Sequence, residues 1–369
     1  MKKILLLADV NSPHIQKWAG SLSAYYHIGV FSIGKSYTTW HQELPNFELF
    51  DEHGFNTDIF YKKTFEKISM LRLIPSLRKV IRKFKPDIVH AHYATSYGFL
   101  GLFAGFHPFW ISVWGADVYD FPEEGFLQKR ILIANLKNAD RIFSTSKSMA
   151  VQTKKFTKKD VECVPFGINT SVFKPVEVKK IVDGNPLVIG MVKTMQEKYG
   201  VEYLIRAFKM VREKMPGTQM KLLLVGGGPQ REYLEQLTVD LGLKQDVIFT
   251  GEIPFSKVVE YHNQLDIAVY PSTLDSESFG VSILESGACG KPVVVSDVAG
   301  LKEVVVENKT GIIVPRKNAG AVADAIMKLI GDEHLRKSLG ENARAHVQRE
   351  YEWNDCLKLM MEKYNSFLK

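Results

Sequence analysis

Two carboxylates stand eight positions apart in Glu277-Ser278-Phe279-Gly280-Val281-Ser282-Ile283-Leu284-Glu285, on either side of a Phe-Gly step. Carboxylates accept paired hydrogen bonds from neighbouring hydroxyls, so the pair suits a sugar or a ribose. The spacing predicts a turn at Phe279-Gly280 and a helix from Val281 to Gly287. One acid then lies just before a helix start and the other two turns inside it. The first amides of a helix have no intrahelical acceptor and sit at the positive end of its dipole, which favours a phosphate. Taken alone, the same spacing also fits an acidic loop followed by a solvated helical Glu.

Other segments supply matching chemistry. Gly190-Met191-Val192-Lys193 ends an apolar run, and Glu197-Lys198-Tyr199-Gly200 follows, placing two cations five residues apart in a strand-to-helix loop. Lysines there would contact a pyrophosphate and stabilise a departing nucleoside diphosphate; a pair of solvated lysines is the plainer alternative. Val225-Gly226-Gly227-Gly228-Pro229 is a glycine-rich turn after a strand, where missing side chains let a ligand approach the backbone. It matches neither G-x-G-x-x-G nor the G-K-[ST] phosphate loop.

The elements that must hold these residues repeat an α/β pattern. Apolar runs at Ile4 to Ala8, Ile28 to Ser32, Ile88 to His90, Trp110 to Val113 and Arg141 to Ser144 alternate with helical spacing, which predicts a parallel sheet. The pattern breaks at Val164 to Pro175. It restarts at Leu187 to Val192, Lys221 to Val225, Val247 to Thr250, Ile267 to Tyr270 and Pro292 to Ser296. Two Rossmann-like domains, 1–175 and 176–352, are expected, with ligands beyond the carboxyl ends of the strands.

Composition bounds the class. At 369 residues, 45% hydrophobic and 24% charged, the chain is globular and long enough for two cores. Cys163, Cys289 and Cys356 are far apart and odd in number, so neither a disulfide framework nor a zinc site is implied, and a reducing cytoplasm fits. The apolar start Ile4 to Ala8 is cut by Asp9 and Asn11 and reads as a buried strand rather than a signal peptide. Tyr97 to Trp114 carries no Lys, Arg, Asp or Glu, but its Gly and Pro residues favour a buried helix from Ser96 to Gly105 and a strand from Phe109 to Val113.

In order, Gly190 to Lys193, Glu197 to Gly200, Gly226 to Pro229, Phe249-Thr250-Gly251, Asp266 to Pro271, Glu277 to Glu285, Gly290-Lys291-Pro292-Val293-Val294 and Gly311 to Pro315 resemble retaining glycosyltransferases of family 4. The resemblance implies the GT-B fold, two facing Rossmann-like domains with a C-terminal crossover helix, here 353–369. It makes Lys193 and Lys198 diphosphate ligands, with Lys193 where the family commonly has Arg. Glu285 would bind the ribose and Glu277 a donor-sugar hydroxyl, placing Glu277 among the catalytic residues. Phe279, Gly280 and Val281 would lie along the sugar and phosphate, Gly227 and Gly228 beside the donor, and Glu252-Ile253 along the base. No cofactor and no metal are implied, the nucleotide-sugar being a substrate, and no acidic or histidine cluster of metal-ligand spacing occurs.

The first domain should take the acceptor. Ser12-Pro13-His14 to Trp18 resembles one branch of the family without its glycine pair, making His14 a contact to phosphate or acceptor; a capping or surface histidine is the alternative. His92 ends the strand Lys85 to His92 and either lines the acceptor side or is structural. Trp114-Gly115-Ala116-Asp117 carries Trp where many relatives have a sugar-contacting histidine, and Phe166 stands where Asn is usual. Asp117 is a candidate for acceptor positioning or proton removal, or else a helix cap.

Residues 1–175 carry a net charge of +8 and the remainder −1. The excess gathers in Lys62, Lys63, Lys67, Arg72, Arg78, Lys79, Arg82, Lys83 and Lys85, interleaved with apolar residues. A basic amphipathic segment at 62–85 suits an anionic membrane and a lipid-linked acceptor, or is an ordinary helix with a solvated basic face. No nucleic-acid motif accompanies the charge. The expectation is therefore a cytoplasmic enzyme, peripheral at the inner membrane face, moving a sugar from a UDP-sugar to a glycan or lipid-linked glycan in cell-envelope polysaccharide synthesis. A nucleotide-sugar-binding subunit and a nucleotide-sugar epimerase are the alternatives.

Overall fold

A computed structural model describes residues 1–51, 68–182 and 184–368. Lys62, Lys63 and Lys67 of the basic segment lie outside the described residues. The strands are β1 (Lys3–Leu7), β2 (His27–Phe31), β3 (Phe47–Phe50), β4 (Ile88–His92), β5 (Phe109–Val113), β6 (Arg141–Ser144) and β7 (Val161–Cys163), then β8 (Leu187–Val192), β9 (Met220–Val225), β10 (Val247–Phe249), β11 (Ile267–Tyr270), β12 (Val293–Ser296) and β13 (Gly311–Val314). The first seven form one sheet in the order β3-β2-β1-β4-β5-β6-β7, and the other six a second in the order β10-β9-β8-β11-β12-β13. Every pairing between them is parallel.

Both are doubly wound sheets, with the direction of winding reversing between β1 and β4 and between β8 and β11. Strands covered by helices on both faces read as unbroken apolar runs, and Ile4 to Leu7 and Ile267 to Tyr270 are wholly buried. The helix Val201–Lys214 turns Val201, Leu204, Ile205, Phe208 and Val211 inward at helical spacing. β3, β7 and β13 were not among the expected strands. All three are edge strands: β3 and β7, Phe-Glu-Leu-Phe and Val-Glu-Cys, are half-buried with no continuous apolar run to mark them, whereas β13 is the short Gly-Ile-Ile-Val.

The chain's contacts divide it into Met1–Phe166 with Cys356–Lys369, and Gly167–Asp355. The first break thus falls at Phe166, nine residues before the expected 175. Backbone bonding is the reason: the Ile168 amide donates to Tyr351 O at 2.7 Å, the Trp353 amide donates to Ile168 O at 2.9 Å, and Asn263 donates to Lys174 O at 3.0 Å. These bonds tie 167–175 to the second unit. The final helix, Trp353–Phe367, belongs to the first unit from Cys356 onward. There Tyr364 stacks on Trp110 with ring centres 5.1 Å apart and its hydroxyl meets His90 Nδ1 at 2.7 Å.

Tyr364 is buried and joins the last helix to β4 and β5, so Tyr364→Ala removes both an aromatic stack and a buried hydrogen bond. We expect a loss of about 3–5 kcal/mol in unfolding free energy, read from urea denaturation. An unshifted midpoint would mean that the terminal helix contributes no core to the first unit.

Candidate functional site

In the second unit the candidate residues follow the carboxyl ends of the strands. Lys193 succeeds β8, Gly226 succeeds β9, Gly251 to Ile253 come after β10, and the loop from Pro271 to Gly280 follows β11. Lys193 and Glu277 therefore emerge from the two strands that flank the reversal point. Lys193 Nζ lies 2.9 Å from Glu277 Oε1, with side-chain exposures of 17% and 10%. The ammonium also sits 4.5 Å from the centre of the Tyr199 ring, and Lys198 Nζ lies 5.1 Å from the same ring. Two cations share one aromatic ring, a concentration of positive charge suited to a diphosphate. Burial is the largest single influence and favours the neutral amine, but the charge and hydrogen bond of Glu277, with Tyr199 and Glu285 adding to them, together hold the Lys193 pKa above its ordinary value.

The loop that carries Glu277 is pinned from behind. Arg316 Nη2 donates to Asp275 Oδ1 at 3.1 Å and Arg316 Nε to Asp297 Oδ1 at 3.2 Å, while the Ala299 amide donates to Asp275 Oδ1. A Cβ on Gly300 would come within 2.3 Å of the Ser278 backbone, so this glycine lets a neighbouring helix press directly on the loop. Ser276, one residue before Glu277, keeps a buried hydroxyl with no partner among the described residues. Such an orphan fits a site completed by a bound group.

The helix begins at Val281, as the spacing predicts, and runs to Ala288. Its cap, Gly280, has φ 75° and offers no side chain, leaving the first turn uncapped. Glu285 lies in its second turn, buried, with Oε2 3.2 Å from His262 Nε2. His262 was not foreseen, because a histidine 23 positions upstream in a separate helix has no spacing that links it to Glu285.

The glycine turn is packed closely against neighbouring loops. Cβ atoms on Gly226 and Gly228 would meet Lys193 O at 2.3 Å and Met195 O at 2.6 Å, and one on Gly227 would meet Glu252 Cγ at 2.5 Å. The Met195 amide donates to Gly227 O at 2.7 Å. These glycines let protein pack closely: the turn clamps the loop that carries Lys193, with Glu252 alongside Gly227.

In the first unit, His92 ends β4 and Trp114 follows β5, while His14 lies in the helix that comes after β1. His14 is the second residue of the helix Pro13–Leu22, whose cap position is Ser12, so it is not the cap. Its ring stacks on Phe166 with centres 4.1 Å apart, and Trp114 meets both edge-on at 5.8 and 5.3 Å. His92 lies 5.6 Å from Trp114 and is 5% exposed, with neither ring nitrogen partnered among the described residues. His90, two residues earlier, is satisfied by Tyr364 and Ser112. A cavity of about 10 Å³, room for roughly one water, lies among His92, Ser112, Trp114, Thr145 and Phe166, and the Thr145 hydroxyl is also unpartnered among the described residues.

Asp117 is not placed for proton removal. It is fully buried, and its oxygens accept from the amides of Ala94 at 2.8 Å, Trp114 at 3.0 Å and Gly115 at 2.8 Å. Burial pushes its pKa above the usual carboxylate range, against the pull of those amides. Its role is to fold the turn that presents Trp114.

The helix Ile74–Phe84 buries Leu77, Val80 and Phe84 in its own core and exposes Arg78, Lys79, Arg82 and Lys83. Its apolar stripe is therefore already covered, and the outward face is cationic alone. No helix of the described residues is long and apolar enough to cross a membrane, and no group of three or more His, Cys, Asp or Glu among them is placed to hold a metal.

Two parallel α/β sheets with paired cations and carboxylates at the strand ends define a GT-B glycosyltransferase architecture. The family model for glycosyl transferases group 1 matches residues 174–346, and the glycosyl transferase 4-like model matches residues 3–146. The chain belongs to this glycosyltransferase family. It is 30% identical over 205 residues to the GDP-mannose-dependent alpha-(1-6)-phosphatidylinositol monomannoside mannosyltransferase of Mycolicibacterium smegmatis, covering 52% of this chain and 53% of that one. It is 34% identical over 184 residues to the D-inositol 3-phosphate glycosyltransferase of Corynebacterium urealyticum, covering 48% and 43%. The matches thus span about half the length of the curated relatives. Sucrose-phosphate synthase from Thermosynechococcus elongatus shares the fold with a TM-score of 0.86 at 21% identity, covering 100% and 99% of the two chains. Anabaena HepE, solved with UDP-glucose, does so with a TM-score of 0.80 at 19% identity, covering 99% and 100%.

Burial pushes the His92 pKa down to about 3. In the unfolded chain it protonates near about 6.5. The unfolded state then holds the extra proton between these values, so His92's contribution is whole above the upper one and is lost as pH falls toward the lower. His92→Phe should reduce the stability lost between about pH 7 and pH 5 by about 2 kcal/mol, at roughly 1.36 kcal/mol per pH unit below the upper value. Urea melts at the two pH values measure it; an unchanged acid loss would mean that His92 protonates in the folded chain.

Proposed function

We propose that this chain is a retaining, metal-independent glycosyltransferase that uses a nucleoside diphosphate sugar, with UDP the nucleotide expected, and a glycan or lipid-linked glycan acceptor of cell-envelope polysaccharide synthesis. The observation that carries the reading is the charged arrangement at the ends of β8 and β11: Lys193 bridged to Glu277, both Lys193 and Lys198 over Tyr199, and an uncapped helix start at Gly280. Lys193, Lys198 and the amides at Phe279, Gly280 and Val281 would hold the diphosphate. Glu277 and the Ser276 hydroxyl would meet the sugar, Glu285 the ribose, and Ile253 the base.

In the proposed reaction the bond from the sugar's anomeric carbon to the leaving phosphate oxygen breaks as the acceptor oxygen bonds on the same face. The leaving oxygen takes the acceptor's proton. The protein then supplies positioning and charge stabilisation without a covalent nucleophile. On the acceptor side, His14, Trp114 and Phe166 give an aromatic surface for a sugar face, and neutral His92 exchanges hydrogen bonds with hydroxyls without adding charge. The exposed cations of Ile74–Phe84 would draw the chain to an anionic membrane at its cytoplasmic face by charge alone.

Glu285→Gln and Lys198→Ala should each weaken nucleoside diphosphate binding about tenfold or more, since each removes a charge-assisted contact. Isothermal titration with UDP and with GDP, the nucleotide in the name of the mycobacterial relative, measures this and identifies the base; unchanged affinity in both variants would overturn the assignment. Donor-dependent release of nucleoside diphosphate across a panel of acceptors separates transfer from binding alone, and sugar conversion without an acceptor would mark an epimerase.

For the membrane, sedimentation with phosphatidylglycerol vesicles should show binding at low salt that Arg78→Glu with Arg82→Glu abolishes. Binding that survives high salt or both substitutions would sink the electrostatic account.

A further inference from the structure

We propose that His262 is a positioning residue for Glu285, acting through a one-way chain of buried hydrogen bonds that runs Tyr270 to Ser286 to His262 to Glu285. The inference rests on reading Glu285 as the ribose ligand. Three elements converge: the helix Val258–Gln264 brings His262, β11 ends in Tyr270, and the helix Val281–Ala288 supplies Glu285 and Ser286. The Tyr270 hydroxyl lies 2.8 Å from Ser286 Oγ, Ser286 Oγ 2.9 Å from His262 Nδ1, and His262 Nε2 3.2 Å from Glu285 Oε2. His262 and Ser286 are 0% exposed, Tyr270 2% and Glu285 8%.

The direction follows from the groups themselves. A carboxylate only accepts, so the proton between Nε2 and Glu285 belongs to the imidazole. In a neutral ring Nδ1 is then an acceptor and must be met by the Ser286 O–H. The serine's lone pairs in turn receive the Tyr270 O–H. Each link fixes the next, and the chain ends on the one member with an oxygen still open to a ligand. If Glu285 turned away, a fully buried N–H would lose its acceptor in a low-dielectric setting, which is costly. The carboxylate is thereby held in one rotamer, with Oε2 engaged and Oε1 left to take ribose hydroxyls.

The test compares the full-length chain with UDP and GDP and with their 2′,3′-dideoxy counterparts by isothermal titration. The wild type should bind a ribonucleotide at least about tenfold more tightly than its dideoxy form, a difference of one or two hydrogen bonds to a charged group. His262→Phe should cut that preference to about threefold or less while leaving dideoxy affinity within about twofold. His262→Gln, which retains an N–H toward Glu285, should restore most of it. Ser286→Ala, a small change that cuts the chain one link back, should fall between and carries the test if the Phe variant does not fold. A preference that persists in His262→Phe or Ser286→Ala, or an equal loss of affinity for both nucleotide forms, overturns the positioning role. A wild type that binds without preferring the ribose, or binds neither nucleotide, overturns the reading of Glu285 itself and with it this inference.

Discussion

An ammonium with 17% of its side chain exposed needs a counter-charge, and the contact between Lys193 and Glu277 is the interaction on which the strand-end geometry of the second unit depends. It joins the end of β8 to the loop after β11 across the reversal point of the sheet. Both supports are built from the rear. The glycine turn Gly226 to Gly228 presses against Lys193 to Met195, and Asp275, gripped by Arg316 and Ala299, fixes the loop that ends in Glu277. Removing one partner of such a pair leaves a poorly solvated charge, commonly a cost of about 3–5 kcal/mol, whereas replacing both by apolar groups is often neutral. Stability alone therefore does not account for the pair. Its position at the strand ends, beside an uncapped helix and an orphan serine hydroxyl, does.

The same physics decides what was legible in the amino-acid sequence. Parallel strands covered on both faces must be continuous apolar runs, so β1, β5, β8 and β11 could be read directly, and whatever follows a run lies at a strand end. Lys193 was legible as a strand-end residue on that ground, whereas Glu277 and Glu285 were picked out by their spacing around Phe279-Gly280 and by the resemblance. His262 was not, because its link to Glu285 runs through tertiary packing of three elements and leaves no periodic trace. β3 and β7 escaped for the opposite reason: edge strands need no double apolar face. Three glycines in a row signalled a close approach correctly but not what approaches, since a missing Cβ serves a ligand and a neighbouring loop equally.

Asp117 shows how burial overrides residue type. A carboxylate at a strand end beside Trp114 reads as a proton acceptor, yet three amides converge on it and close it off. It shapes the turn. His90 and His92 divide in a similar way: two residues apart on β4, both buried, one satisfied through Tyr364 and Ser112 and the other with neither nitrogen engaged among the described residues.

The two units thus set different electrostatics at their strand ends. In the second, lysines and carboxylates are arranged as charges; in the first, His14, Trp114 and Phe166 form an aromatic cluster beside an imidazole that burial keeps neutral. The proposed transfer with retention has uneven demands of this kind. Negative charge develops on the departing diphosphate, where fixed cations lower the barrier most. An attacking hydroxyl needs orientation, and a charged base beside it would compete with the phosphate oxygen for its proton. Asp117, committed to backbone amides, and His92, neutral and sparingly basic, are poor bases, which favours the proposed transfer in which the leaving phosphate oxygen takes the proton; Trp114 likewise offers no ionisable ring, and that chemistry requires none.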